Sequence, residues 1–396
     1  MGDLAGRRVF VRVDLNVPIR DGVITDDSRV RATIPTLTEL LDRGASLIVA
    51  SHLGRPKGRV DEAARLRPVA RLLAELLGRV VEYVPTDGVL NAEVEQSCEA
   101  LAFGPGRVVL LENLRFDPGE EADDRAFALR LADLADAYVD DAFGAVHRAH
   151  ASVSTLPRVM LERGRPAVAG RLLEREVAVL SRLLGEPDRP YVAVLGGAKV
   201  SDKLATIGSL VERVDALLVG GAMAFTFIAA EGGQVGASLV EPDLFEDVRA
   251  ARARADELGV MLHLPEDVVA APEAAADAPH HTVPSGEVPR PERGLDIGPR
   301  AVQEFARTIA EARTILWNGP MGVYELEPFS AGTRGIATAI AGARAFTVAG
   351  GGDSLAAVAK YGLGDGFDHL STGGGASLEF LEGRALPGIT VLEEAG

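Results

Sequence analysis

Cysteine is almost missing from this chain. Cys98 stands alone, which excludes a disulfide framework and a cysteine-rich metal site. No apolar run is both long enough and sufficiently free of charge to span a bilayer. The opening Met1-Gly-Asp-Leu-Ala-Gly-Arg-Arg runs straight into a strand pattern and lacks the apolar segment of a signal peptide. Cations are also scarce: 41 Lys and Arg against 58 Asp and Glu give a formal net charge of −17. That balance argues against nucleic acid or an acidic membrane as a partner. The expectation is a cytoplasmic protein. In so acidic a chain, a local cluster of Arg, Lys and His carries more information than it would in a basic one.

Several catalytic signatures are absent too. No Gly-x-x-x-x-Gly-Lys-[Ser/Thr] loop occurs, and Gly362-x-Gly364-x-Gly366 follows a helical pattern where a dinucleotide fingerprint must leave a strand. No Ser-His-Asp or Cys-His set stands out. His147-x-x-His150 has no evident third metal ligand, so hydrogen bonding to substrate or protein is the better reading. With no general base in view, the sequence favours a reaction whose nucleophile is already ionised and needs positioning and charge neutralisation.

What the chain does have is alternation. Its 396 residues exceed one ordinary core, so two domains are expected. Strand-like runs at Arg8–Val13, Ser46–Ser51, Val108–Leu111 and Ala137–Val139 are separated by helical patterns such as Val30–Arg43 and Arg67–Leu77. This order predicts an α/β fold with largely parallel sheets. Each run is followed by polar groups: Asp14 and Asn16, then His52 and Arg55, then Arg115, then Asp140 to His150. Ligands of open α/β sheets gather beyond the carboxyl ends of strands, so these groups are expected in one crevice. A helical pattern from about Val168 to Leu184, stopped by Gly185, Pro187 and Pro190, reads as a helix either joining two domains or lying wholly inside one. Residues 271–294, rich in Pro and Ala, read as a surface excursion with His280 and His281 exposed.

The second half repeats strand, glycine turn, helix. The theme occurs at Tyr191–Leu195 with Gly196-Gly197, Leu217–Val219 with Gly220-Gly221, and Ile315–Trp317 with Asn318-Gly-Pro-Met-Gly322. It returns in Phe346-Thr-Val-Ala-Gly-Gly-Gly-Asp-Ser354 and Ser371-Thr-Gly-Gly-Gly-Ala-Ser377. Asp353-Ser354 reads as the cap of a helix Leu355–Lys360. Such a turn offers uncovered N–H groups and a positive dipole end to an anion, while Asp353 could hold a divalent cation. The combination suits a magnesium nucleotide; a plain capped turn is the alternative.

Lys199 and Lys203 fall four residues apart at a probable helix start, an arrangement suited to a multiply charged phosphate. Arg29, Arg55, Arg115 and Arg148, with His52, His147 and His150, form a matching group in the first half, and Arg suits bidentate recognition of carboxylate and phosphate. Asp14 and Asn16 either bind substrate hydroxyls or make local turn hydrogen bonds. Glu325 could accept hydrogen bonds from a ribose.

Arg12-Val-Asp-Leu-Asn-Val-Pro18, Ser51-His-Leu-Gly-Arg-Pro56, Leu111-Glu-Asn-Leu-Arg-Phe116 and Asp141-Ala-Phe-Gly-Ala-Val-His-Arg-Ala-His150 resemble the first-domain signatures of the phosphoglycerate kinase family. Gly196-Gly-Ala-Lys-Val-Ser-Asp-Lys203, Trp317-Asn-Gly-Pro-Met-Gly-Val-Tyr-Glu325, Gly350-Gly-Gly-Asp-Ser354 and Ser371-Thr-Gly-Gly-Gly-Ala-Ser377 resemble those of its second domain, in the family's order over nearly the whole chain. The resemblance implies two Rossmann-like α/β domains joined by a helix and hinge. It places a phosphoglycerate-binding domain at 1–165, an interdomain helix at 166–185 and a nucleotide-binding domain at 186–377. Residues 378–396 would pack back on the first domain.

It also implies reversible phosphoryl transfer, as part of glycolysis, from 1,3-bisphosphoglycerate to ADP giving 3-phosphoglycerate and ATP, with Mg2+, hinge-bending closure and a monomeric cytoplasmic enzyme. By the same resemblance Asp14, Asn16, Arg29, His52, Leu53, Gly54, Arg55, Arg115 and Arg148 would hold the phosphoglycerate. Lys203, Gly294, Glu325, Gly351, Gly352, Asp353 and Ser354 would hold the nucleotide, with Asp353 at the metal. Arg29, Lys199, Gly373, Gly374 and Gly375 would stabilise the phosphoryl group in flight. Two departures from the family pattern are Ala145-Val146 before His147 and Arg171 at a commonly apolar position. A nucleotide-dependent dehydrogenase lacks its glycine fingerprint here, and a simple anion-binding protein leaves Lys199, Lys203 and Asp353 unexplained.

Overall fold

The computed structural model describes residues 3–101 and 104–394; residues 1–2 and 395–396, the outer ends of the first and last expected segments, lie outside them. The chain forms two compact units. One comprises residues up to Ala178 together with those from Ala385, and the other comprises Val179–Arg384. Among the described residues no helix is long and apolar enough to cross a membrane.

The first unit is built on a six-stranded parallel sheet: β1 (Arg8–Val13), β2 (Ser46–Ala50), β3 (Val81–Tyr83), β4 (Val108–Leu110), β5 (Ala137–Asp141) and β6 (Ala167–Ala169), in the order β3-β4-β2-β1-β5-β6. Both faces are covered, so apolar residues run almost without a break along each strand. In β1, Val9, Val11 and Val13 join the core on one face with Leu47, Val49 and Val139. Phe10 joins the other with Ile48, Val109 and Tyr138. Helices α1 (Ser28–Asp42) and α2 (Arg67–Leu77) return the chain between strands.

The second unit repeats the plan with β7 (Tyr191–Leu195), β8 (Ala216–Val219), β9 (Met261–His263), β13 (Thr314–Asn318), β14 (Phe346–Gly350) and β15 (His369–Ser371), ordered β9-β8-β7-β13-β14-β15 and parallel throughout. Strand order reverses between β7 and β13, the switch point where such sheets open a crevice.

The structure differs from the sequence expectations in several places. Residues 167–169 are the strand β6, paired with Tyr138–Asp140, and the helix α3 covers only Arg171–Leu184. Periodicity extended that helix backwards because Val168 fits either repeat. The boundary between the units falls inside α3, after Ala178. Residues 378–384 belong to the second unit, because α6 (Gly375–Leu381) is fastened to α4 (Leu204–Val211): Ser209 Oγ donates to Leu381 O at 2.6 Å and Thr206 Oγ1 to Glu382 at 2.9 Å. Only from Ala385 does the chain rejoin the first unit, where α7 (Pro387–Glu393) docks through Gly388 N to Val146 O at 2.9 Å. Residues 271–294 are largely irregular, but they carry part of an antiparallel sheet of β10 (Asp267–Ala271), β11 (His281–Pro284) and β12 (Arg293–Ile297), whose pairing hides behind a loop-like composition. His280 and His281 are both exposed there, as expected, and His280 also meets the Phe329 ring edge-on at 5.8 Å.

Candidate active site

All strands of the first sheet run the same way, so the loops after β1, β2, β4 and β5 emerge along one edge. Asp14 and Asn16 follow β1, His52 to Arg55 follow β2, Arg115 follows β4, and Arg148 follows β5. Arg29 comes from the first turn of α1 and donates to Asp14 at 2.8 Å. Asp14 also accepts from Asn16 N at 3.1 Å, and Asn16 Oδ1 accepts from Gly54 N at 2.9 Å. Arg115 is buried and donates to Gly54 O at 2.7 Å, so the glycine ties three of these loops together. Leu53 is buried and fixed by Asn113, which donates to its carbonyl at 2.7 Å. Arg55 is exposed and forms no ion pair among the described residues, and Arg148 donates to His147 at 3.1 Å.

Crowded cations settle the histidines. Burial, then the charges of Arg12, Arg115 and Arg29, push His52 well below its ordinary range. Burial followed by Arg115, Arg12 and Arg148 brings His150 down to about 3. Both rings are therefore neutral at pH 7, and the positive charge of this edge resides on arginine.

In the second unit the loops after β7, β13, β14 and β15 share one edge in the same way. Lys203 is buried there, its ammonium donating to Gly196 O at 2.6 Å and Asn318 O at 2.7 Å, across the switch point. Burial lowers it to about 8. A β-carbon on Gly319, whose φ is +100°, would strike both Gly196 O and the Lys203 ammonium, so this close approach requires glycine. Lys199 and Lys203 lie ahead of α4, in the turn, and do not share a helical face; Lys203 is the residue before the helix. Lys199 is exposed.

The expected cap by Asp353 and Ser354 is not what forms. Helix α5 runs Gly352–Lys360, starting one turn earlier behind Gly351 at φ +91°, and no side chain caps it. Ser354 is inside the first turn and accepts from Gly319 N at 2.6 Å, while Asp353 points to solvent in the same turn. Gly373 N donates to Ser371 Oγ at 3.3 Å, Gly374 takes φ +53°, and Gly375 begins α6. Glu325 is exposed in the loop beyond β13. Gly294 belongs to another sheet, on β12, where its N–H donates to Ser238 Oγ at 2.9 Å and a β-carbon would collide with the Phe225 ring.

Two groups escaped the sequence reading. Asn318 is buried beside Gly351, with Nδ2 lacking any hydrogen-bond partner. Beneath the first edge, Arg12 is fully buried on β1, in register with Asp140 of β5. Its surroundings include Ser152 and the buried Glu120. The signal for Arg12 was a charge interrupting the apolar run Val9-Phe-Val-Arg-Val13; Glu120 had none.

The family model described as phosphoglycerate kinase matches residues 1–384. The phosphoglycerate kinase of Salinispora arenicola is 56% identical over 99% of this chain and 97% of its own, and that of Thermus thermophilus is 52% identical over 99% and 98%. Among solved structures, the phosphoglycerate kinase of Coxiella burnetii superposes with a TM-score of 0.86 at 41% identity, covering 99% of this chain and 97% of that one.

Proposed function

This chain belongs to the phosphoglycerate kinase family, and from that membership we propose how its two units divide the reaction. The activity is magnesium-dependent phosphoryl transfer between 1,3-bisphosphoglycerate and ADP, giving 3-phosphoglycerate and ATP. The first unit holds the phosphoglycerate. Asp14, Asn16 and Arg29 take its hydroxyl and carboxyl end, and His52, Arg55, Arg115 and Arg148 take its phosphate, with Leu53 and Gly54 shaping the loop. The second unit holds the nucleotide through Lys203, Gly294, Glu325 and Gly351 to Ser354.

Asp353 would hold the nucleotide's magnesium. No group of three or more metal-ligating side chains occurs among the described residues. One exposed carboxylate suits an ion whose other ligands are phosphate oxygens and water. The magnesium neutralises phosphate charge when bound.

The accepting oxygen is already ionised in either direction, a phosphate oxygen of ADP when ATP forms and the carboxylate of 3-phosphoglycerate in reverse, so no base is needed. Charge in the loose transition state spreads over the equatorial phosphoryl oxygens. Lys199, Arg29 and the N–H groups of Gly373, Gly374 and Gly375 stabilise it. Transfer requires both bound reactants in line and water excluded, hence closure of the two units. The cytoplasm, where glycolysis runs, is the proposed location, and a monomer the working form.

The observation carrying this assignment is that each sheet gathers its cations and glycine turns at the carboxyl ends of parallel strands. Lys199→Ala tests it. Removing one transition-state donor costs about 100- to 1,000-fold in kcat, while calorimetry finds 3-phosphoglycerate affinity within about twofold. Near-normal turnover would remove Lys199 from the mechanism.

A further inference from the structure

Arg12 makes hydrogen bonds with all three of its nitrogen groups and reaches no solvent. Nη1 donates to Val13 O, Nε donates to Ser152 Oγ at 2.9 Å, and Nη2 lies 3.1 Å from His52 Nδ1. The last contact has only one chemical reading. A guanidinium has donors and no acceptor, and it keeps its protons in proteins. His52 Nδ1 is therefore the acceptor, so it carries a lone pair. Burial among Arg12, Arg115 and Arg29 keeps the ring neutral, and a neutral ring has one proton, which must sit on Nε2. Nε2 faces away from Arg12 and has no hydrogen-bond partner among the described residues.

The guanidinium is itself pinned. Ser152 Oγ accepts from Arg12 and donates to Glu120 Oε1 at 2.6 Å, while Ser152 N donates to Glu120 Oε2 at 3.0 Å. Arg12 also neighbours Asp140 in the β1–β5 register. Buried charge without such pairing would be costly.

We infer that Arg12 is a positioning residue for the reaction: through the chain Glu120–Ser152–Arg12 it locks His52 in the Nε2–H form, making the histidine a neutral donor to the phosphoglycerate. This rests on the proposed assignment of His52 to that substrate. Without Arg12 the ring could flip or exchange tautomers, offering the anion a lone pair where it needs a proton. The site would keep its net charge from Arg29, Arg55, Arg115 and Arg148 but lose its directed donor.

Two measurements test this, and they fail separately. In the full-length enzyme, two-bond proton–nitrogen correlation spectra between pH 6 and 8 are expected to show His52 protonated at Nε2 and bare at Nδ1. An Nδ1–H tautomer or an imidazolium there overturns the inference whatever the substrate site. The second is a double-mutant cycle on KM for 3-phosphoglycerate. Arg12→Lys raises KM about fivefold in the wild-type background, one directed hydrogen bond being worth ~1 kcal/mol. In a His52→Gln background, where the amide nitrogen supplies a donor near the Nε2 position and no tautomer needs fixing, the same change costs about twofold or less. Equal losses in both backgrounds would show that Arg12 acts as scaffold alone. A normal KM for His52→Ala would instead remove His52 from the substrate site and leave the tautomer result standing.

Discussion

Replacing Lys203 with methionine separates the charge of this side chain from its bulk. In the unliganded protein burial brings the ammonium from 10.5 to about 8, a shift worth about 3 kcal/mol against the charged form. The sign follows for a base whose folded value is depressed. Below pH 8 both folded and unfolded chains carry the proton, and the folded state bears the full penalty. Between pH 8 and 10.5 the unfolded chain keeps a proton that the folded one has shed, so stability rises with pH across that window. Binding runs the other way. A nucleotide polyphosphate favours the ammonium, so only the protonated fraction binds well. At pH 9 that fraction is roughly one tenth, and apparent affinity for MgADP falls about tenfold relative to pH 7. Calorimetry at pH 8.5 in buffers of different ionisation enthalpy should register proton uptake on binding. Lys203→Met removes both the uptake and the steep pH dependence and weakens binding at pH 7. It leaves Gly196 O without the ammonium, a loss of ~1–3 kcal/mol that roughly offsets the relieved charge burial, so the folded protein survives to be measured. Equal pH slopes in the two proteins would refute the reasoning.

Two further outcomes follow. Asp353→Asn removes a solvent-facing carboxylate from the first turn of α5; KM for MgATP should rise roughly tenfold, the worth of one charge-assisted contact, with KM for 3-phosphoglycerate unchanged. Parallel changes in both would deny it a nucleotide-specific role. Gly388→Ala places a β-carbon 2.7 Å from Val153 Cγ1 and 3.0 Å from Val146 Cβ, where α7 docks. Overpacking of this kind costs ~1–3 kcal/mol, read as earlier thermal unfolding and faster proteolysis after Arg384; an unchanged melting curve would mean that α7 is not held by this contact.

Much of the fold was legible because parallel strands bury both faces and stand out as continuous apolar runs. Arg8–Val13, Arg67–Leu77 and Tyr191–Leu195 read from sequence coincide with the elements formed. Strand tips were legible for a related reason: polar residues just past an apolar run have nowhere to go but the sheet edge. The misreadings arise where local pattern is ambiguous. Val168 fits strand or helix until Val139 pairs with it, and the small antiparallel sheet around Val268 to Ile297 depends on partners far along the chain. Asp353 and Ser354 read as caps because their residue types favour caps, but Gly319 N claims the Ser354 hydroxyl.

Arg171 shows how one departure is absorbed. On the outer face of α3 it pairs with Glu39 at 2.7 Å and Glu174 at 3.0 Å, so a cation at a commonly apolar position stays in water and contributes little either way. Arg12 is the opposite case. Its partners Ser152 and Asp140 lie far along the chain, and no local pattern announces them. The residues proposed to meet reactants are therefore open to sequence reading, being tied to strand ends by short spacing. Those inferred to fix the His52 proton are buried one layer below, where only the fold brings them together. In a chain of net charge −17, that lower layer matters more: Glu120 and Asp140 lie under the first unit's arginine-rich edge, and burial raises both. Their charge stays beneath the surface, and the edge presented to a phosphate remains cationic.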